Sequence, residues 1–469
     1  MEIMVGRIRE RETLLRTLDS AHSEFVAIYG RRRIGKTFLV RQTFKERLTF
    51  AHTGVENVNL AGQLRAFESS LRDMGYESQS RLRSWFDAFD AVKKVVLASS
   101  AAKKVIFLDE LPWMDTAKSE FVPALEFFWN GWCSARTDIV LVVCGSATSW
   151  ILNKILKSRG GLHNRVTEQI WLRPFTLNEC EAYAQELGLS YSRYELAMAY
   201  MVLGGVPYYW SFLKPGLSLS QNVDALLFAP DARLGLEFKQ LYASLFKNPE
   251  PYLRIVAALG EKGIGMSREE LAQASELPET GKLSGYVEEL EQCGFVRRYL
   301  PYGARKKGFL TQLVDNFTLF HYRFVKENVR NDPHFWTASD GSPLIRAWAG
   351  LAFERLCLQH VEALRRALGI SGVVTSVCSW RGDGAQVDLL LDRNDRVVNL
   401  CEMKFCEGTF EMDKTEDQRL RLRRETFIKA TGCCKSVHVT LVTTNGIGNT
   451  KYQSVFQSVV LLDDLFGPA

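Results

Sequence analysis

Cysteine is scarce and irregularly spaced in this sequence. Only 10 of the 469 residues are cysteine, and no two of them form a Cys-x-x-Cys pair. Cys401 and Cys406, like the adjacent Cys433 and Cys434, lack the spacing of zinc ligands. This usage argues against a zinc site and is typical of reduced thiols, so we expect a cytoplasmic location.

Long apolar runs are also missing. The run at 139–144 is six residues long, whereas a membrane helix needs roughly 18. The N-terminus, Met-Glu-Ile-Met-Val-Gly-Arg, soon becomes charged and contains neither an apolar export region nor a small-residue cleavage site. We therefore expect no membrane partner.

The composition is that of a globular protein, with 46% hydrophobic and 24% charged residues. A chain of 469 residues is too long for one ordinary core, and we expect about two to four domains. The net charge of +5 and the pI near 8.6 are compatible with nucleic-acid binding, but a mildly basic balance does not indicate it alone.

Short apolar segments alternate with helical patterns in the N-terminal part of the chain. Three of them lie at 25–29, 105–108 and 139–143. They are apolar without alternation, which is typical of strands in a parallel sheet covered on both faces. The sequence therefore predicts an α/β fold, followed by a mostly helical stretch from 174 to 247.

The segment from 249 to 311 predicts three helices followed by a basic hairpin. Ser267 can cap the second helix, and Glu270 completes a capping box. Arginines and lysines at 297–298 and 305–307 flank the hairpin loop. This order of elements looks like a winged helix, whose tip can contact a DNA backbone or serve for packing.

Residues 30–37 fit the pattern G-x-x-x-x-G-K-[ST] between an apolar strand and a helical segment. Such a loop places backbone N–H groups around phosphate oxygens, with Lys36 reaching the terminal phosphates and Thr37 ligating Mg²⁺. The sequence therefore predicts an ATP site with Mg²⁺ as cofactor. The predicted nucleotide-binding residues of this loop are Gly30, Arg31, Arg32, Arg33, Ile34, Gly35, Lys36, Thr37 and Phe38.

Two acids end the apolar strand at 105–108. Asp109 lies where Mg²⁺ needs a carboxylate, and Glu110 where a general base orients the attacking water. Ser146 follows the third strand and is predicted to lie beside the γ-phosphate. Arg159 and Arg165 can supply charge to the transition state, within the chain or across a homo-oligomer boundary, or can be ordinary surface arginines.

A second constellation lies near the C-terminus. Asp388 is in an apolar strand, and Glu402 and Lys404 follow in a second one, where residues i and i+2 share a face. Two carboxylates can hold Mg²⁺, and Lys404 can position the water that attacks a phosphodiester. An ion pair between Lys404 and either acid is the alternative interpretation.

Several motifs together resemble the archaeal-type ATPase family, which is related to the STAND signalling ATPases and the origin-recognition ATPases. They are Val5-Gly6-Arg7, the loop at 30–37, Leu-Asp-Glu at 108–110, Cys-Gly-Ser at 144–146 and Gly-Gly-Val-Pro at 204–207. The resemblance implies an AAA+ core at 1–173, a helical lid at 174–247 and a winged helix at 248–312. It also implies that Pro207 packs near the adenine and that Arg165 matches the family's arginine in the segment before Pro174-Phe175.

The region from 313 to 469 is similar to the PD-(D/E)xK nucleases, in which an acid on the first helix completes the site. Glu354 matches that acid. The resemblance implies a restriction-endonuclease-like domain with Glu354, Asp388 and Glu402 as metal ligands and with Asp388, Glu402 and Lys404 as catalytic residues. The run Arg419–Arg424 can attract a polyanion or can form a solvated helix face.

The sequence thus predicts an ATPase that associates with DNA and whose nucleotide state gates a Mg²⁺-dependent nuclease-like domain. The alternative is a STAND-like switch whose C-terminal domain binds DNA or protein without cleavage. A third possibility is a binding module in which ATP is only a structural ligand.

Overall fold

The chain divides into two units, Met1–Arg173 and Pro174–Ala469. The structure, a computed structural model, describes residues 4–76, 81–157, 160–162, 164–262, 264–304, 307–328, 332–449 and 451–467. Within these ranges no helix combines the length and the apolar character needed to cross a bilayer.

A five-stranded parallel sheet with the order β2-β3-β4-β1-β5 forms the centre of the first unit. Its strands are β1 Glu24–Tyr29, β2 Leu48–Thr53, β3 Lys104–Asp109, β4 Ile139–Gly145 and β5 Glu168–Trp171. The helices are α1 Ile8–Asp19, α2 Lys36–Phe44, α3 Leu60–Asp73, α4 Trp85–Ala98, α5 Leu111–Met114, α6 Phe121–Gly131 and α7 Thr148–Trp150.

Both faces of this sheet are buried, as the apolar strands predict. In β1, Phe25 and Ala27 pack into one hydrophobic cluster, whereas Val26 and Ile28 pack into another. Every residue of β4 is buried. The period of two in a strand directs successive side chains to opposite faces, so a continuous apolar run is required when helices cover both. The predicted α/β fold is confirmed.

The second unit begins with helices. They are α8 Leu177–Glu186, α9 Arg193–Leu203, α10 Pro207–Trp210, α11 Leu219–Val223, α12 Glu237–Leu245, α13 Glu250–Lys262, α14 Arg268–Ser275 and α15 Gly281–Gln292. Ser267 and Glu270 form the expected capping box of α14. The antiparallel pair β6 Val296–Tyr299 and β7 Leu310–Leu313 follows. This is the element order on which the winged-helix prediction depends.

The rest of the second unit contains a mixed sheet with the order β12-β11-β10-β9-β8. Its strands are β8 Thr375–Gly382, β9 Ala385–Arg393, β10 Val397–Lys404, β11 Ser436–Thr443 and β12 Phe456–Leu461. The helices are α16 Asn316–Phe320, α17 Phe335–Ser339, α18 Pro343–Gln359, α19 Val361–Ala367 and α20 Lys414–Thr431. Phe353 of α18 belongs to the cluster on one face, and Phe427 of α20 to the cluster on the other.

Short 3₁₀ and π segments join or extend these helices in both units. They are Lys45–Arg47, Cys133–Ala135, Ile151–Leu156, Asp224–Phe228, His321–Val325, Gln453–Val455 and Leu462–Phe466.

Candidate functional site: a P-loop and a separate acidic cavity

The glycines of the loop at 30–37 allow a conformation that other residues cannot adopt. Gly30 has φ 146°, and a Cβ there would lie 2.2 Å from the carbonyl oxygen of Leu172. Gly35 has φ 88° and is the N-cap of α2. Glycine has no side chain to cap the helix, and an anion is favoured at such a helix N-terminus.

Lys36 is buried inside this loop. Its ammonium donates to the carbonyl oxygens of Gly30 at 3.0 Å and Arg31 at 2.9 Å, and to the hydroxyl of Ser146 at 3.2 Å. A buried ammonium must be hydrogen-bonded to be tolerated. The contacts therefore hold the lysine in the loop and join it to the end of β4.

Asp109 and Thr37 meet at the same edge of the sheet. The Thr37 hydroxyl donates to Oδ2 of Asp109 at 2.7 Å, while the thiol of Cys144 donates to Oδ1 at 2.6 Å. A hydroxyl and a carboxylate oxygen side by side are the ligand types that Mg²⁺ prefers. These two residues fit the predicted magnesium site.

Glu110 is linked to Lys36 through Ser146. The Ser146 hydroxyl donates to Oε1 of Glu110 at 2.6 Å, and its backbone N–H donates to Oε2 at 3.0 Å. Glu110 itself has φ 49°, in the left-handed region where non-glycine residues are strained and which is often found at functional sites. The structure thus brings together Lys36, Thr37, Asp109, Glu110 and Ser146.

The remaining predicted residues of this site differ in burial and in position along the chain. Arg31 and Ile34 are buried, whereas Arg32, Arg33 and Phe38 are partly exposed. Arg165 is exposed before β5 and is not among the residues that hydrogen-bond Lys36, Asp109 or Glu110 in the described part of the chain. Arg159 lies outside the described residues. Pro207 begins α10, in the second unit.

Arg7 is a residue of this site that residue-level reasoning missed. It is buried, and its guanidinium donates to the carbonyl oxygen of Ile34 at 3.3 Å. The contact ties the chain before α1 to the middle of the phosphate loop. The signal was present in Val5-Gly6-Arg7, which contributed only to the family resemblance, because no local pattern shows which loop an arginine reaches.

The second unit contains a cavity of about 520 Å³ that includes the other predicted cluster. Glu354 of α18, Asp388 of β9, and Glu402 and Lys404 of β10 all line it. Strands β9 and β10 pair antiparallel with Cys401 opposite Leu389, so the next residues along, Glu402 and Asp388, are brought to the same place. The structure thus collects residues that are up to 50 positions apart in the sequence.

Basic side chains line part of this cavity. Lys404 forms 3.0 Å ion pairs with Glu402 and Glu416, and Arg419 lies 3.0 Å from Glu402. Arg423 forms an ion pair with the other carboxylate oxygen of Glu402. The ion pair between Lys404 and Glu402, which the sequence left open as an alternative, is therefore present.

The donor set of the cavity fits Mg²⁺ in its chemistry but not in its present arrangement. Burial, and then the charge of Asp388, raise the pKa of Glu354 to about 7, as expected where carboxylates crowd. Asp388 accepts a 2.5 Å hydrogen bond from Gln386. Among the described residues no three His, Cys, Asp or Glu side chains are arranged to hold a metal. Glu402 must leave its arginine partners before it can ligate.

The described part of the basic hairpin packs against the second sheet. The N–H of Tyr302 donates to the Ser379 carbonyl at 2.8 Å, and its ring lies 4.9 Å from that of Phe427. Arg297 stacks on Tyr299, and burial lowers its pKa to about 10, while Arg298 forms an ion pair with Glu291. These contacts favour a packing role for the strands.

At the tip of the same hairpin, Arg305 and Lys306 lie outside the described residues. Lys307 is exposed. The predicted contact of the tip with DNA therefore stays a prediction.

Comparisons with known proteins found sequences and solved structures that are similar to this chain. The chain is 23% identical over 409 residues to an uncharacterised protein of Methanocaldococcus jannaschii, covering 86% of this chain and 88% of that one. The Walker-type ATPase of Pyrococcus abyssi (14% identity, TM-score 0.48) and the ORC2 protein of Aeropyrum pernix in its ADPNP and ADP complexes (18%, 0.45) are similar structures. Each matches 68% of this chain, and the matches cover 96% and 93% of their own chains, respectively.

A sequence family described as the ATPase domain predominantly from Archaea matches residues 4–212, a range that contains Arg7, the phosphate loop and the acidic pair. Residues 4–212 of this chain are therefore similar to the archaeal type of ATPase domain.

Proposed function

We propose that this chain is a Mg²⁺-dependent ATPase that associates with DNA and whose nucleotide state controls the acidic cavity of the second unit. The match of residues 4–212 to an ATPase domain supports ATP binding and hydrolysis. The observation that carries the proposal is the hydrogen-bonded chain from Lys36 through Ser146 to Glu110. It couples the residue that contacts the terminal phosphates to the residue that activates water.

Each residue of the loop then has a role. Lys36 and the N–H groups of α2 bind the β- and γ-phosphates. Thr37 and Asp109 would hold Mg²⁺, which would neutralise charge on the phosphates. Glu110 orients the attacking water and takes its proton. Ser146 holds the Glu110 carboxylate towards Lys36.

Two further roles come from the family resemblance. Pro207 packs near the adenine. The exposed Arg165 supplies positive charge to the transition state, either within the chain or across the boundary of a homo-oligomer.

For the second unit, we propose a Mg²⁺-dependent nuclease-like site. Glu354, Asp388 and Glu402 supply oxygen ligands, and Lys404 positions the water that attacks a phosphodiester. Supporting this assignment, one cavity contains all four residues.

A second candidate function is a nucleotide-dependent switch that binds DNA without cleaving it. The ion pairs of Glu402 with Arg419 and Arg423 favour this candidate, because a carboxylate held by two guanidinium groups is a poor metal ligand until they are displaced. Fold similarity to nucleases does not establish cleavage.

The test is nicking of supercoiled plasmid by the full chain with Mg²⁺, with and without ATP. Lys36→Ala, Asp388→Asn and Lys404→Ala are compared with Asp392→Asn, which changes an acid of the same strand that pairs with Lys435 and not with the cavity. Nicking that Asp388→Asn and Lys404→Ala abolish and Asp392→Asn retains supports the nuclease. Plasmid that stays intact under every condition, while ATP is hydrolysed, removes the nuclease and leaves the switch.

ATP turnover measured with and without DNA tests the connection between the units. Stimulation or inhibition of turnover by DNA supports control of one site by the other. Turnover that DNA leaves unchanged, in protein shown to bind DNA, contradicts it.

A further inference from the structure

The arginines of α20 do not form one uniform basic face. Arg419 and Arg423 are four positions apart and therefore lie on the same side of the helix, where both contact Glu402. Arg421 instead pairs with Asp417 of its own helix at 2.8 Å, and Arg424 donates to the carbonyl oxygen of Val437. Only the first two of these four arginines line the cavity.

The two arginines have a geometry suited to a phosphodiester. A guanidinium presents a planar set of donors that matches the oxygens of carboxylates and of phosphates alike. Glu402 is largely buried and accepts hydrogen bonds from both arginines, and Glu416 also accepts one from Arg419, whose side chain is 46% exposed. A phosphate oxygen entering the cavity therefore meets the same donors that Glu402 now uses.

The formal charge of the cavity decides when this exchange is favourable. Its lining contains four acids, Glu354, Asp383, Asp388 and Glu402, and three bases, Lys404, Arg419 and Arg423. With all four acids ionised, the lining has a formal charge of −1, and Glu416, which pairs with Lys404 and Arg419, adds a further negative charge. A phosphodiester is therefore repelled until a bound divalent cation cancels this charge, and charges a few ångströms apart interact strongly where water is partly excluded.

We propose that Arg419 and Arg423 form a phosphate clamp for the DNA backbone, which Glu402 occupies until a divalent cation and DNA bind together. The clamp rests on the proposed function, because it takes DNA as the ligand of the second unit. When both ligands bind, the Glu402 carboxylate leaves the arginines and ligates the cation, and the arginines donate to the phosphate instead. The cation draws Glu402 away from the arginines that DNA needs, and DNA draws the arginines away from the carboxylate that the cation needs, so cation and DNA bind cooperatively.

The test is the affinity of the full chain for a fluorescently labelled DNA duplex, measured by anisotropy over a range of salt concentrations. Ca²⁺, which takes the same oxygen ligands, is compared with EDTA. Wild-type protein is expected to bind more tightly with Ca²⁺ than with EDTA. Arg419→Ala combined with Arg423→Ala is expected to weaken binding in Ca²⁺ about tenfold or more and to reduce the salt slope by about 2.

Arg421→Ala is the matched control, because it removes an arginine of the same helix that points away from Glu402. It is expected to change the affinity in Ca²⁺ less than about twofold. Equal weakening by Arg421→Ala and by the double variant overturns the clamp, since the helix then attracts DNA only through its overall charge.

Glu402→Gln keeps the proposal testable if the double variant does not fold. The amide cannot hold two guanidinium groups by charge, so Arg423 is released and Arg419 keeps only its ion pair with Glu416. DNA binding in EDTA is expected to become tighter than that of the wild type. Unchanged or weaker binding in EDTA overturns the clamp. A wild-type chain that binds no DNA removes the proposed DNA association itself, whereas wild-type binding that the double variant retains removes the clamp alone.

Discussion

The hydroxyl of Thr37 donates a 2.7 Å hydrogen bond to Oδ2 of Asp109, although the two residues are 72 positions apart. Thr37 lies in the first turn of α2, the helix that follows β1, and Asp109 lies at the end of β3; β4 separates these two strands in the sheet. Because the strands are parallel, their carboxyl ends meet at one edge, the usual location of a ligand site in an open α/β sheet.

This contact predicts a graded effect on the magnesium requirement of the ATPase. Thr37→Ala removes the hydroxyl, and we expect about 10- to 100-fold more Mg²⁺ to be needed for half-maximal turnover. Thr37→Ser keeps the oxygen and is expected to behave nearly as the wild type. ATP turnover at increasing Mg²⁺ measures both variants. Equal responses of the alanine and serine variants contradict the assignment.

Glu110 is expected to act in turnover and not in binding. Glu110→Gln keeps the size of the side chain and removes its charge, so ATP affinity should be retained while kcat falls about 100-fold or more. Ser146→Ala breaks the hydrogen bonds of its hydroxyl with Glu110 and Lys36, and an intermediate loss in kcat is expected. Equilibrium binding of ATP and steady-state turnover separate the two effects. A wild type that binds ATP without hydrolysing it would support a structural role for the nucleotide instead.

Gly205 has a packing reason to be glycine. A Cβ at this position would lie 2.0 Å from the carbonyl oxygen of Phe175, whose N–H donates to the carbonyl of Gly205. Because the contact is with the backbone of Phe175, which cannot turn aside as a side chain can, Gly205→Ala is expected to destabilise the protein by about 3 kcal/mol.

Gly285, inside α15, has open space where a Cβ would lie, with no neighbouring atom within 4 Å, and alanine is the better helix former. Gly285→Ala is therefore expected to stabilise the protein by about 0.5–1 kcal/mol. Urea unfolding of both glycine variants and of the wild type checks these signs. A Gly205→Ala protein as stable as the wild type would contradict the close contact between residue 205 and the backbone of Phe175.

His360 predicts a loss of stability in acid. Its Nε2 accepts the N–H of Leu177, and Nδ1 lies 2.8 Å from the carbonyl oxygen of Leu356, so the neutral ring is the form that fits. Burial lowers its pKa from 6.5 to about 4. Below pH 6.5 the unfolded chain therefore binds a proton that the folded protein does not bind. The free energy of unfolding consequently falls as the pH drops from 6.5 towards 4.

At pH about 5 the cost of this single group is about 2 kcal/mol. His360→Gln removes the titration, so its stability is expected to depend less steeply on pH over this window. His22→Gln, at an exposed position, is the control and should follow the wild type. Urea midpoints at several pH values measure the difference, and parallel curves for all three proteins would contradict the prediction.

Much of the fold could be predicted because its signals are local. The strands at 25–29, 105–108 and 139–143 were evident from continuous apolar character, and β2 and β5 were missed because both are partly exposed and polar at several positions. The capping box of Ser267 and Glu270 could be predicted because a cap involves residues three positions apart. The long-range contact of Arg7 with Ile34 had no such local signal.

The sequence by itself determined the phosphate loop, because glycines at positive φ, a lysine and a threonine must be contiguous to surround a phosphate. It also determined the acidic pair, since both acids directly follow one buried strand. Only the tertiary structure decided that Glu354, Asp388, Glu402 and Lys404 share one cavity, and that Arg419 and Arg423 turn towards Glu402 while Arg421 does not. The direction of a charged side chain depends on the elements packed around it, and a run of arginines in the sequence does not show which elements those are.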